Sequence, residues 1–139
     1  MAPEVSIAPR PGRWRRLEGF ALAAVALHSY AVGAMLLFVP AWTLRFAGWG
    51  EPGDLFFPRQ SGAFHFVVAT AYAWEWLRHR TVTLLLMTKA VAVVFLLVLN
   101  PWRSAWSVPF SGVFDGLMLA GMAWLDVMAR REARRPVSG

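Results

Sequence analysis

The sequence predicts an all-α integral membrane protein: a bundle of four transmembrane helices with both termini in the cytoplasm. Three observations carry that reading. Of the 139 residues, 58% are hydrophobic and only 16% charged, more apolar surface than a soluble core of this length takes up. Four stretches approach the roughly 20 apolar residues that a helix needs to cross a bilayer core. The arginines gather in alternate flanks and links, as the positive-inside rule requires of an even number of spans.

The spans are expected at about 19–39, 60–77, 82–99 and 109–128. The first has no formal charge and stops at Pro40; the third stops at Asn100 and Pro101, where a helix cannot continue. Thr81 is expected to open the third span. Ser107 or Ser111, with Pro109 in the first turn, suits the start of the fourth. Only "RHR" separates the second span from the third, which predicts an antiparallel hairpin. A signal peptide is the alternative for the first span, but its apolar run continues to Val39, long for a cleavable segment.

Arg10, Arg13, Arg15 and Arg16 precede the first span, Arg78 and Arg80 lie in the second link, and Arg130, Arg131, Arg134 and Arg135 follow the fourth. The other side has Arg45, Arg59 and Arg103. This places residues 1–16 and 130–139, read as basic and largely disordered tails around a domain at 17–129, in the cytoplasm of a bacterial inner membrane. The net charge of +6 is thereby explained by topology and anionic lipid rather than by nucleic acid. The outer loop at 40–59 contains "AWTLRFAGWG". It reads either as a short interfacial helix or as an aromatic-belt loop, with Trp102 and Trp106 anchoring the same interface.

No cysteine is present, which excludes disulfides, thiolate metal sites, Cys nucleophiles and CxxCH haem attachment. What stands out is polarity inside the spans. In "RQSGAFHFVVATAYAWEW", Ser61, His65, Tyr72 and Glu75 share one helical face. The first span has His28, the third Lys89 (the single lysine) and the fourth Asp115, with Asp126 further along. At about 1.5 Å per residue, His28, His65 and Asp115 fall roughly 16–20 Å from the cytoplasmic edge, and Lys89 at about 12 Å. Ionisable groups at such depth face the bundle and are functional candidates by default. A Lys89–Asp115 pair with His28 and His65 beside it is the simplest compensation; Glu75 is expected to pair with Arg78 or Arg80. Gly112, Gly116 and Ala120 form a small-residue series for close helix packing, within the chain or against a second copy.

His28, His65, Tyr72, Lys89 and Asp115 are therefore the candidate ligand-binding residues, for a lipophilic molecule with a polar head such as a quinone, lipid or pigment. As the alternative, His65, Asp115 and Lys89 are candidate catalytic residues for acid–base or quinone-linked redox chemistry. A haem between His28 and His65 is the weaker geometry, and no metal site is expected. A fourth reading makes the chain an accessory subunit of a larger membrane complex, with the polar groups as local glue.

The four spans, the Pro that ends the first and "RQSGAFHF" opening the second resemble the small DoxX-like membrane proteins. That resemblance implies a four-helix bundle and, for some members, a link to quinone-dependent sulfur oxidation or redox complexes. It carries no catalytic motif onto particular residues of this chain.

Overall fold

The computed structural model describes residues 12–100 and 105–134. All regular structure among them is helical: α1 (Arg13–Phe38), α2 (Pro40–Phe46), α3 (Phe56–His79), α4 (Thr83–Val93), which continues as a π-helical segment (Val94–Leu99), and α5 (Ser107–Ala133). Two of these, α1 and α5, are long and apolar enough to cross a membrane. The shorter run Thr83–Leu99 is also apolar. In α3, Arg59, Gln60, His65 and Glu75 dilute the hydropathy.

The helices outrun their expected bounds at the polar ends. α1 begins at Arg13, so Arg13, Arg15 and Arg16 belong to a helix rather than to a tail, and α5 continues to Ala133. Both extensions have one cause. The Glu132 carboxylate accepts the backbone N–H groups of Arg13 and Trp14, each at 3.1 Å. It thereby satisfies donors that a helix N-terminus leaves orphaned. The first turn of α1 and the last turn of α5 therefore lie side by side. Trp102 and Arg103 lie outside the described residues.

Neighbours are antiparallel. Gly19 meets Trp76, Tyr30 meets Thr70 and Gly33 meets Gly62 along α1 and α3. Trp14 meets Trp124, and His28 meets Phe114, along α1 and α5. Lys89 meets Asp115, and Leu97 meets Gly112, along α4 and α5. The order in space is α3, α1, α5, α4. α3 and α4 touch little despite their short link: the expected antiparallel hairpin meets near the link and then parts. Leu22, Val25, Tyr72, Trp76, Val82, Leu85 and Met122 form the core there. Among the described residues no comparable apolar cluster fills the opposite half.

The tightest approach is glycine on glycine. A Cβ on Gly62 would stand 2.8 Å from the Gly33 carbonyl oxygen and from the Leu37 nitrogen, and one on Gly33 would stand 2.9 Å from the Gly62 oxygen. Backbone cannot yield as a flexible side chain does, so only glycine permits this crossing. The small series on α5 is less uniform. Gly112 is buried against Leu96 and Leu97, Gly116 has Val93 3.9 Å away, and Ala120 is exposed.

The outer surface is apolar: Phe20, Phe38, Phe57, Leu77 and Val98 are among the large side chains left open. The interior buries Glu18, Glu75, Lys89 and Asp126. A soluble protein distributes its residues the other way round.

Gly62→Leu is expected to lower thermal stability in detergent by at least the 1–3 kcal/mol typical of about one overpacked side chain. Gly121→Leu, at a site with no atom within 4 Å of its Cβ position, should leave the melting temperature nearly unchanged.

Candidate functional site

Each of the four long helices contributes a polar side chain to one cavity. α1 supplies His28, α3 supplies Ser61 and His65, α4 supplies Lys89, and α5 supplies Ser107, Ser111 and Asp115. The cavity has a volume of about 450 Å³ and opens in the half where α3 and α4 part. Its remaining walls are apolar, with Leu36, Ala92 and Leu96 among them. Thus His28, His65, Lys89 and Asp115, expected to converge from depth alone, do line one space.

Tyr72 does not join them. It is 1% exposed, packs in the closed core, and turns its hydroxyl towards Thr88. Its place on the same stripe as His65, two turns further along, puts it beneath the cavity instead of in its wall.

The Lys89 ammonium and the Asp115 carboxylate are in direct hydrogen-bonded contact, the lysine buried and the aspartate nearly so. Two charges in an apolar interior are tolerated only when paired. The pair also ties α4 to α5. Asp115 meets Lys89 through Oδ1, and neither His28 nor His65 is hydrogen-bonded to it. His28 stacks edge-on against Phe114, with ring centroids 5.1 Å apart. His65 lies beside the Gly33–Gly62 crossing, 3.0 Å from where a Gly33 Cβ would be. The two histidines keep polar capacity on the cavity wall, whereas the charged pair neutralises itself.

The mouth of the cavity is roofed by α2. Pro40 sits in its first turn, and the Thr43 hydroxyl bonds back to the carbonyls of Met35 and Val39 at 3.0 and 2.9 Å. These contacts fold the chain sharply after α1. Trp106, just before α5, pins the helix: its indole N–H donates to the Phe46 carbonyl at 3.2 Å, and its ring meets Phe46 edge-on. Thr43, Ala47 and Trp49 then line the cavity mouth. Of the two readings of the outer loop, the helical one is realised. Thr43 and the α5 serines were not picked out as site residues by the sequence. A hydroxyl in a loop or first turn is ordinary, and only the fold of α2 over α5 aims these inward.

The other buried charges serve elsewhere. Glu75 accepts from the Thr81 hydroxyl at 2.8 Å and from the N–H groups of Thr83 and Leu84 at 3.0 and 2.9 Å. It caps α4 rather than pairing with Arg78 or Arg80: the first N–H groups of a helix have no partner within the helix, and the buried Glu75 carboxylate supplies one. Thr81 accordingly binds Glu75 and does not cap α4 itself. Glu18, overlooked in the sequence, is fully buried with Arg15 on one oxygen at 2.6 Å; it faces Asp126, which Arg130 holds at 2.8 Å. Among the described residues no three metal-ligating side chains form a group.

No family model, curated protein or solved structure matches the chain.

Lys89→Met leaves a buried carboxylate unpaired and is expected to destabilise by about 3–5 kcal/mol. Replacing both partners, as Lys89→Met with Asp115→Leu, should recover most of that loss in the same detergent melt.

Proposed function

We propose that this chain is a four-span protein of the bacterial inner membrane, with both ends in the cytoplasm, that binds a lipophilic molecule by its polar head. The observation that carries the proposal is the cavity shared by His28, His65, Lys89 and Asp115 inside a bundle whose outer face is apolar. A space of this size, apolar in most of its wall and with few convergent polar groups, has the composition of a small-molecule site.

The chemistry of the head follows from what the wall leaves unpaired. Lys89 and Asp115 neutralise each other, so a formally charged head would have to break that pair. The two imidazoles and the hydroxyls of Ser61 and Ser111 offer donors and acceptors to a neutral head. A carbonyl or hydroxyl on a ring or chain fits that set. A quinone is one such molecule, and is also the ligand class that the DoxX-like resemblance would imply. Binding is favoured over acid–base catalysis, because a general base needs an orienting partner and Asp115 is hydrogen-bonded to Lys89, with no carboxylate bonded to His65 among the described residues.

Orientation is supported by charge. Arg13, Arg15, Arg78, Arg80, Arg130 and Arg134 flank the closed end of the bundle, the cytoplasmic side under the positive-inside rule. The cavity then opens in the outer half, beneath α2.

The test is the molecule that co-purifies. Protein extracted gently from its own membrane should yield one lipophilic compound per chain on solvent extraction and mass spectrometry. His65→Ala and Asp115→Asn should each lose it while still inserting in the membrane. Full retention in both variants would remove the cavity as its site; a stable protein partner in place of a ligand would favour an accessory-subunit role.

A further inference from the structure

A trough lies on the outside of the bundle, between α1 and α3. Gly19, Ala23 and Ala26 on α1 and Ala73 on α3 leave a shallow trough of about 420 Å³ along the helix pair. Tyr30 closes one end and Trp76 the other. The trough exists because the small side chains line up where the two helices diverge from the Gly33–Gly62 crossing. Its length, Gly19 to Tyr30, is about 16 Å at 1.5 Å per residue, close to half of a hydrocarbon core roughly 30 Å thick. That is the depth of one leaflet.

The Trp76 end is basic. The Arg15 guanidinium lies 5.7 Å from the Trp76 ring centroid and that of Arg80 5.6 Å from it. Two like charges on one ring repel, and they are held there by the chain. Arg15 donates to the Arg80 carbonyl at 3.1 Å, and Arg80 ends α3 in the left-handed region with φ 55°, its N–H on the Trp76 carbonyl, one of the usual ways a helix stops. Arg15 is balanced by Glu18. Arg80 is exposed and makes no ion pair among the described residues, and the exposed Arg78 adds a further positive charge beside it.

We infer that this trough is a binding site for one anionic phospholipid, its headgroup phosphate at Arg80 and Arg15 and one acyl chain lying along the alanines towards Tyr30. The inference rests on the membrane reading above and is independent of the cavity. Charge complementarity selects an anionic head over a zwitterionic one. The acyl-length trough ending at that charge selects a lipid over a free anion. Trp76 joins the two, its indole closing the end of the trough and its face carrying the cations.

The experiment uses the full chain in nanodiscs of equal phosphatidylglycerol and phosphatidylcholine, with native mass spectrometry of the lipid retained after release. Wild type should retain one phosphatidylglycerol in preference to phosphatidylcholine. Arg80→Asn, which keeps a residue tolerant of positive φ, should reduce that preference by about fivefold, the effect of removing one surface cation. Ala23→Phe, which fills the trough at an exposed position, should abolish retention of either lipid; its helical circular dichroism and elution volume check the fold. His65→Ala should retain the lipid as wild type does, which separates this site from the cavity. Equal retention of the two lipids by wild type, or an unchanged preference in Arg80→Asn, would overturn the inference. If the chain fails to partition with membranes at all, the membrane reading fails first.

Discussion

The contact on which the rest of this structure depends is the ion pair between Lys89 and Asp115. An ammonium or a carboxylate placed alone among apolar side chains is prohibitively unfavourable. Once both are present, α4 and α5 must bring them together. That fixes the register of α4 against α5, and with it the seating of Leu97 against Gly112. It also defines the inside of the bundle, since the wall that holds this pair is the wall that receives His28 and His65.

The two halves of the bundle solve the burial problem differently. One half is closed by large side chains, Tyr72, Leu85 and Met122 among them, and is edged by carboxylates that take up helix N-termini: Glu132 for α1 and Glu75 for α4. In the other half the Gly33–Gly62 crossing draws α1 and α3 together while α4 follows α5. α3 and α4 are left apart, and the space between them becomes the cavity. The π-helical segment at Val94–Leu99 lies along this open half, where Leu96 and Leu97 press on Gly112. An extra residue per turn there is a common accommodation near functional space. The polar cavity, the divergent helices and the roof supplied by α2 are thus consequences of a few close contacts rather than separate features.

Much of this was legible in the sequence, for a physical reason. The order of helices follows from long apolar runs interrupted by Pro40, Asn100 and short basic links. The convergence of His28, His65, Lys89 and Asp115 follows from counting residues at 1.5 Å each, because depth in a helix is arithmetic. Rotation about each helix axis is not arithmetic. Tyr72 shares a stripe with His65 yet faces Thr88 in the core, and Glu75 sits beside two arginines yet caps α4. In both cases the partner is chosen by the neighbouring helix, which periodicity within one segment does not encode. Glu18 was missed because a carboxylate beside Arg15 and Arg16 looks like a solvated interface charge. Only the packing of α1 on α5 buries it and turns it towards Asp126.

The most direct measurement is an experimental density map of the protein held in nanodiscs formed from its own membrane. The expected result is an elongated non-protein density in the cavity, its polar end against His28 and His65 beside an intact Lys89–Asp115 pair, and its apolar end leaving between α3 and α4. A cavity filled only by water, or closed by inward movement of α3 onto α4, would contradict a ligand-binding bundle.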